Sequence, residues 1–346
     1  MNRKPNRIYV YTAAAVLLVQ ITGLCGCRVS VNKKEEKPKE PEINVINMID
    51  ETEVPAEEDT DAGSGDLEDV VEADTGDTGA EQDVSADTDD TALQATTEVV
   101  LDPGWKYAER SMINSGSAVL YNAMSGRKNI VVAVNAGHGT KGGQSVKTYC
   151  HPDKTPKVTG GSTAEGSIQA AAVSGGMSFN DGTAEAAVTL ELAKVFRDRL
   201  LEEGYDVLML RDDTDVQLDN VARTVIANNT ADCMISIHWD GDDLDHDKGC
   251  FYISVPDGLK SMEPVSSYWK EHERLGQALV DGLRDKGCKI YDSGSMDIDL
   301  TQTSYSTVPS VDIEMGNQAS VHDGPTLEKL AAGLVLGVDS FFGSEG

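Results

Sequence analysis

Apolar runs of strand length alternate with amphipathic stretches along the C-terminal two thirds of the chain. Strands are predicted at 130–134, 205–211, 231–239, 249–255 and 308–317. Between them, apolar residues recur at helical spacing, which predicts helices over 183–204, 216–229, 266–287 and 324–342. This alternation predicts an α/β fold, with a single mixed, mostly parallel sheet flanked by helices.

The segment 139–184 breaks this alternation. It is rich in Gly, Ser, Thr and Lys and shows little periodicity, apart from 167–173, which favours a short helix. We therefore interpret it as a long insertion within a folded domain that covers 128–346. A long ordered loop of this kind is often functional, because it lies beside a site that a rigid scaffold holds in place.

The N-terminus is typical of an export signal. The basic start "MNRKPNR" precedes an apolar run and then "LCGC", Leu24 to Cys27. These four residues resemble a bacterial lipobox, and the resemblance implies that residues 1–27 are a lipoprotein-type signal peptide. Cys27 would then become the mature N-terminus and carry the lipid. An uncleaved anchor and plain secretion are the alternatives.

Residues 28–104 are predicted to form an acidic, disordered linker. Within them, 50–98 contains 19 Asp or Glu and no Lys or Arg, and much of the chain's net charge of −30 lies there. Such a segment cannot bury enough apolar surface to offset the entropy of ordering. A coil of this length spans roughly 50 Å, and charge repulsion extends it. The acidity also argues against nucleic acid as a partner.

The four cysteines beyond the signal are widely spaced: Cys150, Cys233, Cys250 and Cys288. No CxxC pair occurs among them, which excludes a zinc ribbon. Their spacing leaves both free thiols and disulfides open.

Polar side chains follow the predicted strands. His138 lies between Gly137 and Gly139 after the first strand, His238 ends the third, and Glu314 lies within the last. Strand ends at one edge of an α/β sheet form the usual binding crevice. We expect the two glycines to leave room for water and substrate beside His138.

A fourth polar residue, Glu185, falls in the first turn of a predicted helix. The positive end of the helix dipole stabilises a carboxylate there, which explains the residue without any role in a site. Each of the four residues, taken singly, has such a structural interpretation. Together they match hydrolytic zinc sites, in which two histidines and a carboxylate bind the metal and leave a position for water. A further carboxylate then serves as the proton acceptor.

The order of motifs closely resembles the zinc-dependent N-acetylmuramoyl-L-alanine amidases of the cell wall. The resemblance rests on "NAGHG", "AEAAVTLELAKVF", "VARTVIAN", "CMISIHW" and "VDIEMGN", which span about 129–340. It implies an amidase-like fold, with zinc bound by His138, Glu185 and His238, and with Glu314 as the catalytic glutamate. The matching pair Arg223 and Asn228 is interpreted as structural.

The resemblance implies a peptidoglycan hydrolase that cuts the amide bond between N-acetylmuramic acid and L-alanine of the stem peptide. Zinc-activated water would attack, with glutamate as general base and acid. The enzyme would act in the cell wall, tethered to the outer face of the cytoplasmic membrane through Cys27; no protein activator is indicated. A zinc peptidase that cuts within the stem, and a wall-binding lipoprotein on an inactive amidase scaffold, are the alternatives.

Three features depart from the family pattern. Asn135 and Ala136 replace Asp-Pro, Ala186 replaces a lysine, and the insertion separates the first two ligands. These departures bear on the substrate preference and on the shape of the substrate-binding groove. Within the insertion, His151 is interpreted as a surface loop histidine. Trp239, directly after His238, either stacks on a sugar or packs in the interior.

Overall fold

The computed structural model describes residues 96–343. In this part of the chain the strands are β1 (Thr96–Val100), β2 (Ser117–Tyr121), β3 (Val131–Ala136), β4 (Lys147–Tyr149), β5 (Gln169–Ala171), β6 (Asp206–Met209), β7 (Cys233–Asp240), β8 (Cys250–Ser254), β9 (Ile290–Asp297) and β10 (Ser310–Asn317). The helices are α1 (Glu185–Glu202), α2 (Asn220–Thr230), α3 (Val265–Asp285), α4 (Thr301–Tyr305) and α5 (Gly324–Gly343).

Eight of these strands form one mixed sheet in the order β1-β2-β6-β3-β7-β10-β8-β9. The central strands β6, β3, β7 and β10 are mutually parallel, whereas β2 and β8 run antiparallel to them on either side. The remaining two strands, β4 and β5, pair separately as an antiparallel hairpin within the insertion. The predicted α/β fold, with a single mixed and mostly parallel sheet, is confirmed.

Helices cover both faces of the sheet. On one face α1, α3 and α5 pack against side chains such as Val132 and Val134 of β3. On the other face α2 packs against the alternate residues, including Ala133 and Met234. The central strands are buried on both faces, which explains why they read as continuous apolar runs.

Several elements differ from the sequence prediction. Two strands, β1 and β2, precede residue 128, the predicted beginning of the domain, and β1 lies within the predicted linker. Most side chains of β1 are exposed, so this edge strand has no apolar run to reveal it. The helix predicted over 167–173 is wrong, because Gln169–Ala171 pairs with Lys147–Tyr149 as a hairpin. Pairing with a neighbouring strand overrides the helical preference of alanine.

The predicted signal peptide, 1–27, and the greater part of the predicted linker, 28–95, lie outside the described residues. No helix within 96–343 is long and apolar enough to cross a membrane. Cys150, Cys233, Cys250 and Cys288 are free thiols.

Candidate metal centre

The fold brings three predicted ligands to the carboxyl ends of adjacent strands. His138 follows β3 by two residues, and His238 lies near the end of β7, the neighbouring parallel strand. Glu185 is the first residue of α1, and its side chain is buried against both histidines. The insertion therefore separates His138 and Glu185 in the sequence but not in space.

The ligand atoms of the three side chains converge on one point. His138 Nε2 lies 2.9 Å from Glu185 Oε2 and 3.2 Å from His238 Nδ1. His238 Nδ1 lies 3.2 Å from Glu185 Oε1. One ligand atom from each residue falls within 4.8 Å of the others, which is close enough to hold a metal ion.

This arrangement fits a zinc ion. Two ligand atoms at about 2.0 Å from a tetrahedral metal lie about 3.3 Å apart, close to the separations above. His138 Nδ1 lies 2.9 Å from the carbonyl oxygen of Ser174, which can only accept, so Nδ1 carries the proton. In the neutral ring, the lone pair of Nε2 is then directed toward His238 and Glu185, as metal ligation requires.

Two buried arginines hold the turn that presents His138. Arg211 donates to the carbonyl oxygens of Ala136 at 3.0 Å and Gly137 at 2.9 Å. Arg223 donates to Ala136 O at 3.2 Å and His138 O at 2.7 Å. His138 itself has a φ of 66°, a left-handed conformation that is unfavourable for a residue with a side chain. The two guanidinium groups thus stabilise a strained turn through three consecutive carbonyls.

Both arginines remain cationic in this interior. Burial lowers the pKa of Arg211 to about 10 and that of Arg223 to about 9. Arg223 matches the family's pattern and was interpreted as structural, which agrees with these contacts. Arg211 was missed, although its position at the end of the apolar run "YDVLMLR" is the signal that marks it.

The glycines on either side of His138 leave room for protein atoms, not for water and substrate as we expected. A Cβ at Gly137 would lie 2.3 Å from the His238 ring, and one at Gly139 would lie 2.6 Å from Arg211 Nε. The sequence interpretation was wrong here because the space is filled by side chains of the two neighbouring strands, which are distant only in the sequence. The glycines allow the second ligand and the supporting arginine to approach the turn closely.

Glu314 lies on β10 directly beside His238 in the parallel register. Glu314 as a whole is partly exposed, but its Oε2 atom is buried and has no hydrogen-bond partner among the described residues. Burial raises the pKa of the Glu314 carboxyl well above its usual range. A carboxyl in this state is suited to taking up a proton and returning it.

In Glu185 and His238, unlike Glu314, neighbouring charges and hydrogen bonds outweigh the effect of burial on the pKa. Burial opposes ionisation of Glu185, but the charges and hydrogen bonds of His138 and His238 lower its pKa below the usual value. Burial likewise opposes protonation of His238, but the hydrogen bond and charge of Glu185 raise its pKa to about 9. The carboxylate is therefore negatively charged and attracts a cation at this point.

The structure also places three other residues that the sequence analysis singled out. The interpretation of His151 as a surface loop histidine is wrong: it is fully buried, and its Nε2 lies 2.9 Å from Asp299 Oδ1. Trp239 is also buried and packs edge-on against Phe179 at 5.7 Å between ring centroids, so it is not available to stack on a sugar. Asn228 donates to Tyr305 O at 2.9 Å, a contact that joins α2 to α4.

Comparison with known proteins gives a family match over most of this fold. The family model described as N-acetylmuramoyl-L-alanine amidase matches residues 132–332, more than half of the chain. A search of the curated proteins finds no match.

Solved structures give a second comparison. The crystal structure of the N-acetylmuramyl-L-alanine amidase Ami1 from Mycobacterium smegmatis is 18% identical with a TM-score of 0.53, and the match covers 62% of this chain and 98% of that chain. The apo form of Ami1 from Mycobacterium abscessus is 20% identical with a TM-score of 0.49, and the match covers 62% of this chain and 99% of that chain. The first likeness shows that the two proteins share a fold.

Proposed function

Because the chain belongs to the N-acetylmuramoyl-L-alanine amidase family, we propose that it hydrolyses the amide bond between N-acetylmuramic acid and L-alanine of the peptidoglycan stem peptide. The observation that carries this proposal is the meeting of His138, Glu185 and His238 beside Glu314 at one edge of the sheet. Three nitrogen and oxygen ligands with a separate carboxylate are the parts that metal-assisted amide hydrolysis needs.

His138, Glu185 and His238 would hold a zinc ion. Zinc in such a site supplies Lewis acidity, which polarises a carbonyl group and makes water a better nucleophile near neutral pH. The three side chains would bind the ion in a fixed place, because Arg211 and Arg223 hold the turn that ends at His138 and because Glu185 is itself anchored. Its Oε1 accepts a hydrogen bond from Trp239 N at 3.0 Å, and its Oε2 accepts one from Met177 N at 2.9 Å.

Glu314 would take the proton from the attacking water and return it to the leaving amine. Its position beside His238 places the carboxyl near the metal ligands without using it as one. The unpartnered Oε2 is the atom that would carry the proton. Burial raises the pKa of this carboxyl, so the captured proton stays on it until the amine leaves.

The test is product analysis on purified peptidoglycan. The full-length chain, purified in detergent and supplied with zinc, is incubated with the polymer, and the newly exposed amino termini are identified by mass spectrometry. New N-terminal L-alanine, absent with a Glu185→Gln variant that lacks one ligand, supports the amidase. Cleavage elsewhere in the stem indicates a zinc peptidase. Binding without any cleavage indicates a wall-binding protein, and it contradicts the proposal.

The chain would act outside the cytoplasm, since peptidoglycan lies there. The "LCGC" motif supports a lipid anchor on Cys27 after removal of residues 1–27, and the acidic segment 28–95 supports a tether that leads to the folded part. Fractionation of cells that express the wild-type chain and Cys27→Ala tests this. The variant is expected in the soluble extracytoplasmic fraction, whereas retention of both in the membrane contradicts the lipid anchor.

A further inference from the structure

The end of the insertion contacts two of the three candidate metal ligands. We propose that Ser174–Met177 forms an outer layer of the metal centre that positions His138 and Glu185, so that the insertion is an integral part of the site and not a separate lid. This inference rests on the proposed metal centre and adds a role for a segment that lies outside the family's motifs.

The first contact fixes the orientation of His138. Its Nδ1 donates to the Ser174 carbonyl oxygen at 2.9 Å, and the Ser174 hydroxyl oxygen also lies 3.2 Å from Nδ1. A metal-ligating histidine needs such a partner on its second nitrogen, because this bond selects the tautomer and prevents rotation of the ring. Here that partner is a backbone carbonyl of the insertion.

The second contact fixes the carboxylate of Glu185. Met177 donates its backbone N–H to Glu185 Oε2 at 2.9 Å, and the Glu185 N–H donates in return to Met177 O at 3.0 Å. The first turn of α1 is therefore joined to the insertion through both its side chain and its backbone. The carboxylate oxygen so held is the one nearest His138 Nε2.

Gly176, between these two contacts, shows how closely the backbone approaches the ligands. Its φ is +87°, and a Cβ there would lie 2.9 Å from both Glu185 Oε2 and His138 Cδ2. Both the backbone conformation and the lack of space exclude a side chain. The backbone of the insertion thus packs directly against the side chains of two candidate ligands, His138 and Glu185.

The rest of the insertion is anchored well enough to hold this layer in place. His151 and the backbone N–H of Val158 both bind the buried carboxylate of Asp299, at 2.9 Å and 2.8 Å. The Asn220 N–H at the beginning of α2 donates to Ala172 O at 3.1 Å. These contacts join the insertion to two other parts of the fold, which restricts the movement of Ser174–Met177.

Three glycine substitutions in the full-length chain test the proposal. Gly176→Ala adds both a positive-φ strain and a clash with the ligands. Gly166→Ala, also in the insertion, adds the strain alone, since φ is +82° and nothing lies within 4 Å of its Cβ. Gly160→Ala, in the insertion but outside Ser174–Met177, adds neither, because its Cβ meets only Glu165 N at an ordinary contact distance of 3.8 Å and no positive φ applies.

The primary measurement is zinc affinity, by competition with a chromophoric chelator, alongside thermal unfolding in EDTA. We expect Gly176→Ala to bind zinc about tenfold to hundredfold more weakly than the wild type, as is typical when a ligand's supporting contact is disturbed. Gly166→Ala and Gly160→Ala should retain wild-type affinity. Equal affinity in all four chains, or an equal loss in Gly166→Ala and Gly176→Ala, overturns the inference.

A second measurement serves if Gly176→Ala fails to fold. In the zinc-loaded wild type, the side-chain ¹⁵N spectrum should show a slowly exchanging Nδ1–H for His138, assigned by its loss in His138→Gln. A metal-loaded His138 without that proton overturns the inference. The proposed function fails separately: a wild-type chain that binds no zinc removes both ideas, whereas one that binds zinc and cuts peptidoglycan, with unchanged Gly176→Ala affinity, removes only this one.

Discussion

Glu314 lies directly beside His238 in the parallel pairing of β10 with β7. Register partners on adjacent parallel strands direct their side chains to the same face of the sheet. The backbone register alone therefore places the proposed proton carrier next to a proposed metal ligand. The pairing shifts only after this point, between Glu314 and Asn317.

Glu314→Gln should separate chemistry from metal binding. The amide has nearly the same shape as the carboxyl but cannot accept the proton, so the cleavage rate should fall by about 10²- to 10⁴-fold. Zinc affinity should change by less than about threefold, because Glu314 is not among the three converging ligands. Release of N-terminal L-alanine and chelator competition measure the two quantities.

The matched control is Glu191→Gln, which changes an exposed carboxylate on α1. It should keep both the wild-type rate and the wild-type affinity. A Glu314→Gln chain that cuts peptidoglycan at the wild-type rate contradicts the assignment of Glu314.

Zinc should stabilise the folded chain through the same three side chains. A ligand that binds only the folded state adds about 4 kcal/mol when its free concentration is a thousand times its Kd. Glu185→Gln should lose most of this gain, because it removes the charge that faces both histidines at 2.9 Å and 3.2 Å. Urea unfolding with excess zinc and with EDTA measures the difference. An equal gain in both chains would place the bound zinc elsewhere.

The sequence was sufficient to predict the sheet and to single out four residues that the fold brings together at one edge of it, but not what surrounds them. The parallel central strands are buried on both faces and give continuous apolar runs, whereas β1 exposes most of its side chains and gives none. His138 and His238 were recognisable because each ends a strand. Contacts such as Ser174 O to His138 Nδ1 were not, because they depend on how a non-periodic segment folds back.

The misreading of His151 has the same origin. A histidine in a polar, loop-like segment is usually exposed, and nothing near it in the sequence indicates otherwise. Its partner Asp299 lies 148 residues away and is equally buried. Burial that depends on one distant residue leaves no periodic signal in the sequence.

Arg223→Met should weaken the metal centre from a distance. The change removes hydrogen bonds to Ala136 O and His138 O. Ala136 O keeps its bond from Arg211, but the buried His138 O loses its donor, which should cost about 3 kcal/mol of unfolding free energy. The freed turn at His138 should also relax from its positive φ, so zinc affinity should fall by at least about tenfold. Urea unfolding in EDTA and chelator competition measure these effects.

Asn228→Ala is the control on the same helix. It removes the hydrogen bond to Tyr305 O, which lies away from the metal ligands, and should cost about 1–2 kcal/mol of unfolding free energy. Its zinc affinity should equal that of the wild type. A proportional loss of affinity in both variants would show that Arg223 acts only through overall stability.

His272 should make the metal-free chain sensitive to acid. It is buried on α3, accepts a hydrogen bond from Ser310 N at Nδ1 over 2.9 Å, and has no partner for Nε2 among the described residues. Burial lowers its pKa to about 4, from an unfolded value of about 6.5. Between these two values the unfolded chain binds a proton that the folded chain does not, so stability falls as the pH decreases from about 6.5 to 4.

The expected loss from this one group over that range is about 3 kcal/mol, at about 1.4 kcal/mol for each pKa unit. His272→Asn places a non-titrating acceptor near Nδ1, so its unfolding free energy in EDTA should decrease less between pH 7 and pH 4.5. His246→Asn removes an exposed histidine and should leave the wild-type slope unchanged. If all three chains lose stability in parallel, His272 is not the source of the acid sensitivity, because only its protonation differs among them in the buried core.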